Sequence, residues 1–269
     1  MILRRITEHV KTQNWFAVAL DFLIVVLGVF VATQVSNWNA ARVDQVRAIS
    51  YLERLGNDRA SDIAVGERKQ IFRSEVAAFG KAGLAYAESG DAAGQSQWDL
   101  LLAYFHASQV DEYYLTDATF EELKSAGELG LIRNEAIRDT LSTYYTLGHN
   151  VILSERPRYR ERVRGIVPIG VQTHIWTNCF STDVQGAQTI VPCEPPAPDE
   201  EIAGIVAKIA DNDSLMEDLR YWVSTMEVAA ILSSRNVDGA RQIKAQIDAE
   251  LGRAPEKNSG SQKEIIVMQ

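Results

Sequence analysis

The stretch that decides the architecture is Trp15–Val35, WFAVALDFLIVVLGVFVATQV, in which Asp21 is the one charged residue. As a helix rising 1.5 Å per residue it measures roughly 32 Å, the thickness of a bilayer's hydrocarbon core. A cleaved signal peptide has a shorter apolar core, about 7–15 residues, and a small-x-small exit. Here Phe30 stands two before Ala32, and Gln34, Asn37 and Trp38 follow, so the segment reads as an uncleaved anchor. Arg4, Arg5 and Lys11 precede it against Glu8 alone, and Arg42 and Arg47 follow. The positive-inside rule therefore predicts residues 1–14 in the cytoplasm and the chain beyond the span across the membrane. No second run of spanning length appears after Val35.

A carboxylate inside a bilayer costs a few kcal/mol at its centre and less near the interface, where Asp21 falls. At helical spacing Ala17, Asp21, Ile24, Gly28, Ala32 and Val35 share one stripe. Gly28 and Ala32 form a small-xxx-small pair that lets a second helix approach closely. The expected contact is with another membrane protein or a second copy, through Ala17, Asp21, Gly28 and Ala32. A single anchor helix offers no pore, so Asp21 is not read as an ion pathway.

The chain has 269 residues and a net charge of −9, with 46% hydrophobic and 23% charged residues. That is globular composition. A pI near 5.1 excludes a phosphate-backbone binder, so no nucleic-acid partner is expected. After the span, Val43, Val46, Ile49, Leu52 and Leu55 continue an apolar stripe, which predicts a helix emerging from the bilayer as a stalk. Helical composition resumes over 62–88, with Ile63, Ile71, Val76 and Phe79 as candidate core, and Glu88–Gly94 reads as a loop. A helix starts near Ser96 with Trp98, Leu101, Leu102 and Phe105. Thr119-x-x-Glu122 fits a capping box, and Gly127 a left-handed helix end. Asn134 should cap a long helix carrying Ile137, Leu141, Tyr144, Tyr145, Gly148, Ile152 and Tyr159, kinked or interrupted at Pro157.

Residues 165–200 are punctuated by Pro168, Gly170, Gly186, Pro192, Pro195, Pro196 and Pro198, and hold both cysteines, Cys179 and Cys193. A metal site there would need His174 and a fourth ligand the sequence does not offer. In an exported domain, a Cys179–Cys193 disulfide closing a loop of about 15 residues contributes roughly 3 kcal/mol. A final helix, opened by a Ser214-x-x-Glu217 box, carries Leu215, Leu219, Trp222, Met226, Ala229, Ser233, Ala240, Ile243, Ile247 and Leu251, with Gly239 as a bend point. No strand pattern stands out. The expected fold is all-α: one transmembrane helix (15–35), an extracytoplasmic helical bundle with an irregular disulfide-containing loop (36–252), and a mobile polar tail (253–269).

Two stretches resemble an uncharacterised family of bacterial single-pass inner-membrane proteins, a domain of unknown function. One runs from Asp21-Phe-Leu-Ile-Val-Val-Leu-Gly-Val to Gln34-Val-Ser-Asn-Trp-Asn39, with Asp21 where the family more often has Glu. The other runs from Thr119-Phe-Glu-Glu-Leu-Lys-Ser-Ala-Gly127 through Leu131-Ile132-Arg133-Asn134 to Tyr144-Tyr145. The resemblance implies a bacterial inner-membrane protein, for which the positive-inside reading above places the N-terminus in the cytoplasm and the main domain in the periplasm. It implies no reaction.

Nothing in the sequence is built for chemistry. His9, His106, His149 and His174 are scattered, and there is no nucleophile elbow, phosphate loop or dinucleotide fingerprint. Glu121/Glu122 and Asp199/Glu200/Glu201 sit at helix starts, where the dipole favours them. No cofactor or metal is expected and the protein is not read as an enzyme. The aromatics of Asp111-Glu112-Tyr113-Tyr114 suit part of a pocket or interface, or, as is commoner for such residues, the seam between helices. The outlier is Arg156, Arg158, Arg160, Arg162 and Arg164, opposed by Glu155 and Glu161 alone. Arg156, Arg160 and Arg164 share a face if the helix persists, a positive patch suited either to ordinary surface pairing or to an anionic headgroup, polyanion or acidic partner. The function expected is a membrane-anchored scaffold or accessory subunit of an envelope complex; the alternative is an extracytoplasmic ligand-sensing domain signalling through a partner.

Overall fold

A computed structural model describes residues 15–110, 112, 114–148, 152, 155–182 and 188–254. The expected cytoplasmic segment 1–14 and most of the expected tail, residues 255–269, lie outside these residues. So do His9, His149, Asp111 and Tyr113. Eight α-helices and one two-stranded hairpin are present among the described residues, so the all-α expectation holds. The chain divides into a unit ending at Tyr51 and a compact unit starting at Leu52.

Helix α1 is Trp15–Ser89. The chain has no proline before Pro157, so no backbone N–H is missing from its ladder. In the first unit the apolar run from Phe16 to Val35 is exposed on every side, and Val43, Val46 and Ile49 remain exposed beyond it. Burial begins with Leu52 and Leu55, so the compact unit starts later than residue 36. Gly56 does not break the helix; it lies buried, with room for a Cβ 3.6 Å from Ile247.

Within the second unit, the later part of α1 lies antiparallel to α8 (Asp213–Glu250). Glu88 pairs with Arg220, Lys81 with Glu227, Glu67 with Arg241 and Glu53 with Arg253. Each step back along α1 thus matches a step forward along α8, the last one reaching Arg253 just past its end. These pairs are half-exposed and define register more than they stabilise. The C-terminal helix buries the predicted stripe from Leu215 to Ile247 without a break at Gly239, which faces the Tyr144 ring. Its cap is Asn212, whose side chain accepts from Leu215 N–H at 3.1 Å, rather than Ser214.

Helix α2 (Gln97–His106) opens with a capping box, Ser96 and Asp99 exchanging side-chain bonds to each other's N–H at 3.1 and 3.0 Å. It is buried almost all round, through Trp98, Leu100, Leu101, Ala103, Tyr104, Phe105 and His106, as a helix at the centre of a bundle must be. The polar handles of its large neighbours all find acceptors: Tyr104 donates to Gly83 O, Tyr159 to Tyr104 O and Trp222 to Ala107 O.

Helix α3 (Ala118–Ser125) does not use the predicted Thr119 cap. Asp117 is its N-cap, Thr119 is buried inside the first turn, and Glu122 reaches out to Arg54 instead. Its exit is as expected: Gly127 has φ +69°, and the N–H groups of Gly127 and Glu128 return to Lys124 O and Leu123 O. Asn134 caps α4 (Glu135–Gly148), its side chain accepting from Ala136 N–H. That helix ends at Gly148. Tyr159 belongs to a separate helix, α5 (Arg158–Ile166), for which Pro157 is the N-cap. The proline thus separates two helices rather than kinking one.

Helix α6 (Ile169–Asn178) leads into β1 (Phe180–Thr182), paired antiparallel with β2 (Gln188–Ile190), a hairpin the sequence pattern did not predict. Three-residue strands are too short for an alternation to register. The Cys179–Cys193 disulfide closes this segment, with Cα atoms 5.0 Å apart. Trp98 Nε1 donates to Cys193 O at 2.9 Å, so the bridge is held against α2. Helix α7 (Asp199–Ala210), acidic in its first turn, packs on α2, while α4 and α5 pack on α8.

Candidate functional site

The first unit carries the membrane-facing candidates. Ala17, Asp21, Gly28 and Ala32 are all exposed, and a Cβ on Gly28 would meet nothing within 4 Å. Among the described residues α1 is the one helix long and apolar enough to cross a membrane, and no part of its most apolar stretch is buried. Water cannot satisfy so large an apolar cylinder, whereas a bilayer or a second helix can.

The arginine cluster does not form one open face. Arg156 precedes α5 and pairs with Glu112, which also accepts from Tyr114; the Tyr114 hydrogen bond first, then the Arg156 hydrogen bond and charge, hold the Glu112 carboxyl below its usual range. Tyr114 is 72% exposed rather than filling a seam. Arg162 pairs with Asp218 and donates to Ser214 O. Arg160 and Arg164 turn inward to the end of α2. Arg160 Nη1 donates to Ser108 O at 2.8 Å, and Arg164 donates from Nε to Ser108 Oγ and from Nη2 to Gln109 Oε1, both at 3.2 Å. The Arg164 guanidinium faces the Phe105 and Trp176 rings, 5.1 and 5.0 Å from their centroids, and the two rings meet each other edge to face at 5.8 Å. Burial, then the neighbouring Arg160 charge, lowers its pKa to about 9.

Two further polar centres lie inside the second unit, on faces where apolar periodicity carries no signal. In the first, Arg59 and Asp62 of α1 are fully buried and paired at 3.0 Å. Asp62 accepts from Thr116 N–H and from the Tyr144 hydroxyl, both at 2.9 Å. The Arg59 guanidinium donates to Thr116 O and faces the rings of Tyr144 and Tyr145 at 4.6 and 4.8 Å. Burial raises the Asp62 pKa more than Arg59, Thr116 and Tyr144 lower it. Arg73 is likewise buried and donates to Ser233. Of the predicted α1 core, Val76 is buried and Phe79 half-buried, but Ile71 is exposed; the buried face is shared with these charges instead.

The second centre is His106, 1% exposed, with neither ring nitrogen partnered among the described residues. It sits beside the Phe79 and Phe105 rings at 5.2 and 6.1 Å. Desolvation, reinforced by the Arg164 charge, lowers its pKa to about 4, so the imidazole is neutral near pH 7.

Tyr145 and Phe120 stack at 4.3 Å and line an open groove of about 380 Å³, with Leu129, Glu121, Lys124, Ser142 and Thr146. No group of three or more His, Cys, Asp or Glu side chains suited to a metal occurs among the described residues. His174 bonds to Glu194 O and Asn178. Of the paired carboxylates, Glu121 is bound by Lys124 and Glu122 by Arg54. No protein-family model, curated protein or solved structure matches the chain.

Proposed function

We propose that this chain is a single-pass bacterial inner-membrane protein with its N-terminus in the cytoplasm and its disulfide-bonded helical unit in the periplasm. It works by interaction, as a scaffold or accessory subunit of an envelope complex, not as an enzyme. The observation that carries the reading is the exposure of α1 from Phe16 to Val35, together with a second unit that has its own buried core. A helix that buries nothing of itself needs an apolar solvent, and the Cys179–Cys193 bridge fits an oxidising compartment. The Ala17, Asp21, Gly28 and Ala32 stripe is the contact face, because Gly28 leaves the backbone bare to an approaching helix.

The test is a mild-detergent purification of the full chain from its native membrane, comparing wild type with Gly28→Ile. A stoichiometric partner that the variant loses supports the reading and places the contact in the membrane. Recovery of a homogeneous single species from both proteins removes its basis. The ligand-sensing alternative rests on the groove beside Phe120 and Tyr145; saturable stabilisation by a small molecule, abolished by filling that groove with Ser142→Trp, would favour it.

A further inference from the structure

We propose that Arg160 and Arg164, converging on Ser108 at the end of α2, form a binding site for a phosphate-type oxyanion. Both guanidiniums are gathered on one residue, the first on its carbonyl oxygen and the second on its hydroxyl. Neither forms an ion pair with a carboxylate among the described residues, whereas the neighbouring Arg156 and Arg162 both do. Two like charges brought together in a half-buried position repel, and burial removes the water that would screen them.

The end of α2 does not offset them. A helix C-terminus presents roughly half a negative charge, against two full positive ones here. What remains is a net positive notch in a chain whose overall charge is −9. The notch is also preorganised. Arg164 rests against the Phe105 and Trp176 rings and is tied at Nε and Nη2, which leaves Nη1 without a protein partner among the described residues. Arg160 is tied at Nη1, leaving Nε and Nη2. None of these three nitrogens is among the buried unpartnered atoms, so they open on solvent. Beneath them, Gln109 is 1% exposed and its Nε2 amide is a buried donor with no acceptor. Planar N–H forks that are held in place and lack a counter-charge among the described residues suit a tetrahedral oxyanion with several acceptor oxygens.

The site stands apart from the membrane reading and is tested on the full chain in neutral maltoside micelles. Inorganic phosphate is titrated against chloride at matched ionic strength while the melting temperature is followed. In a parallel arm, phosphatidylglycerol is compared with phosphatidylcholine in the micelle. The expected result is a saturable rise with phosphate at least about twice that with chloride. Arg160→Gln should lose this excess, whereas Arg156→Gln should keep it. General exclusion of phosphate from the surface would persist in both variants and so is separated from binding. Should Arg160→Gln fail to fold, Arg160→Lys keeps the charge and stem but not the fork, and should weaken binding at least about threefold. Stabilisation by phosphatidylglycerol without free phosphate identifies a lipid headgroup as the source of the same chemistry. The proposal is overturned if neither phosphate nor phosphatidylglycerol exceeds its control, or if the Arg160 variants respond as wild type does.

Discussion

Replacing His106 by Phe should remove a pH dependence of stability and leave the protein no less stable at pH 7. In the folded chain the imidazole has a pKa of about 4 against an ordinary 6.5, chiefly because burial disfavours its charged form. As pH falls below 6.5 the unfolded chain takes up the proton first, so stability is lost between pH 6.5 and about 4 and levels off below that. At about 1.4 kcal/mol for each pH unit, the gap comes to about 3 kcal/mol. At neutral pH the substitution removes two unpartnered ring nitrogens from a pocket walled by Phe79 and Phe105. Replacing such a group with an apolar one of similar shape is nearly neutral or stabilising. Trp222 reports locally, since its indole N–H donates to Ala107 O, one residue from His106. Denaturant titrations followed by tryptophan fluorescence from pH 7.5 to 4 should show a steeper acid loss for wild type than for His106→Phe. Asp62, whose folded pKa is raised, acts with the opposite sign in both proteins and cancels in the comparison. Parallel pH profiles would refute the account, as would a loss of several kcal/mol by the variant at pH 7.

Three other outcomes follow from the packing. Gly83→Ala should destabilise by about 1–3 kcal/mol, although alanine is the better helix former, because its Cβ would come 2.7 Å from the buried Tyr104 ring; a raised melting temperature would mean that the ring can yield. Asp62→Asn keeps an acceptor for Thr116 N–H but leaves Arg59 buried without its counter-charge, at a cost of about 3–5 kcal/mol in denaturant unfolding; under 1 kcal/mol would mean that the Tyr144 and Tyr145 rings hold the cation by themselves. Reducing Cys179–Cys193 should cost about 3 kcal/mol, expected for a separation of 14 residues, and should loosen the Trp98 anchor, seen as a fluorescence shift absent from Trp98→Phe.

Much of this architecture is legible in the amino-acid order because it rests on local patterns. The apolar run of α1, the buried stripe of α8, the Asn134 cap and the Gly127 exit each depend on residues a few positions apart. The misreadings share a cause as well. Thr119-x-x-Glu122 and Ser214-x-x-Glu217 have the right residues for capping boxes, but Asp117 and Asn212 each cap their helix two residues earlier. Ile71 fits an apolar stripe and is exposed, while Arg59, Asp62 and Arg73 are buried beside it. Charged groups can take core positions only when partners from distant segments meet them, here Thr116, Tyr144 and Ser233.

The same division separates the two faces of the candidate site. The order of residues by itself determined that residues 15–35 form an apolar run, that the chain is helical, and that five arginines crowd within nine positions. Only the tertiary structure decided which of those arginines are neutralised. Arg156 and Arg162 meet carboxylates from 44 and 56 residues away, while Arg160 and Arg164 converge on Ser108 and Gln109 with no carboxylate partner among the described residues. Propensity and periodicity are properties of neighbours along the chain. The charge balance of a guanidinium is set by whatever the fold carries to within a few ångströms of it.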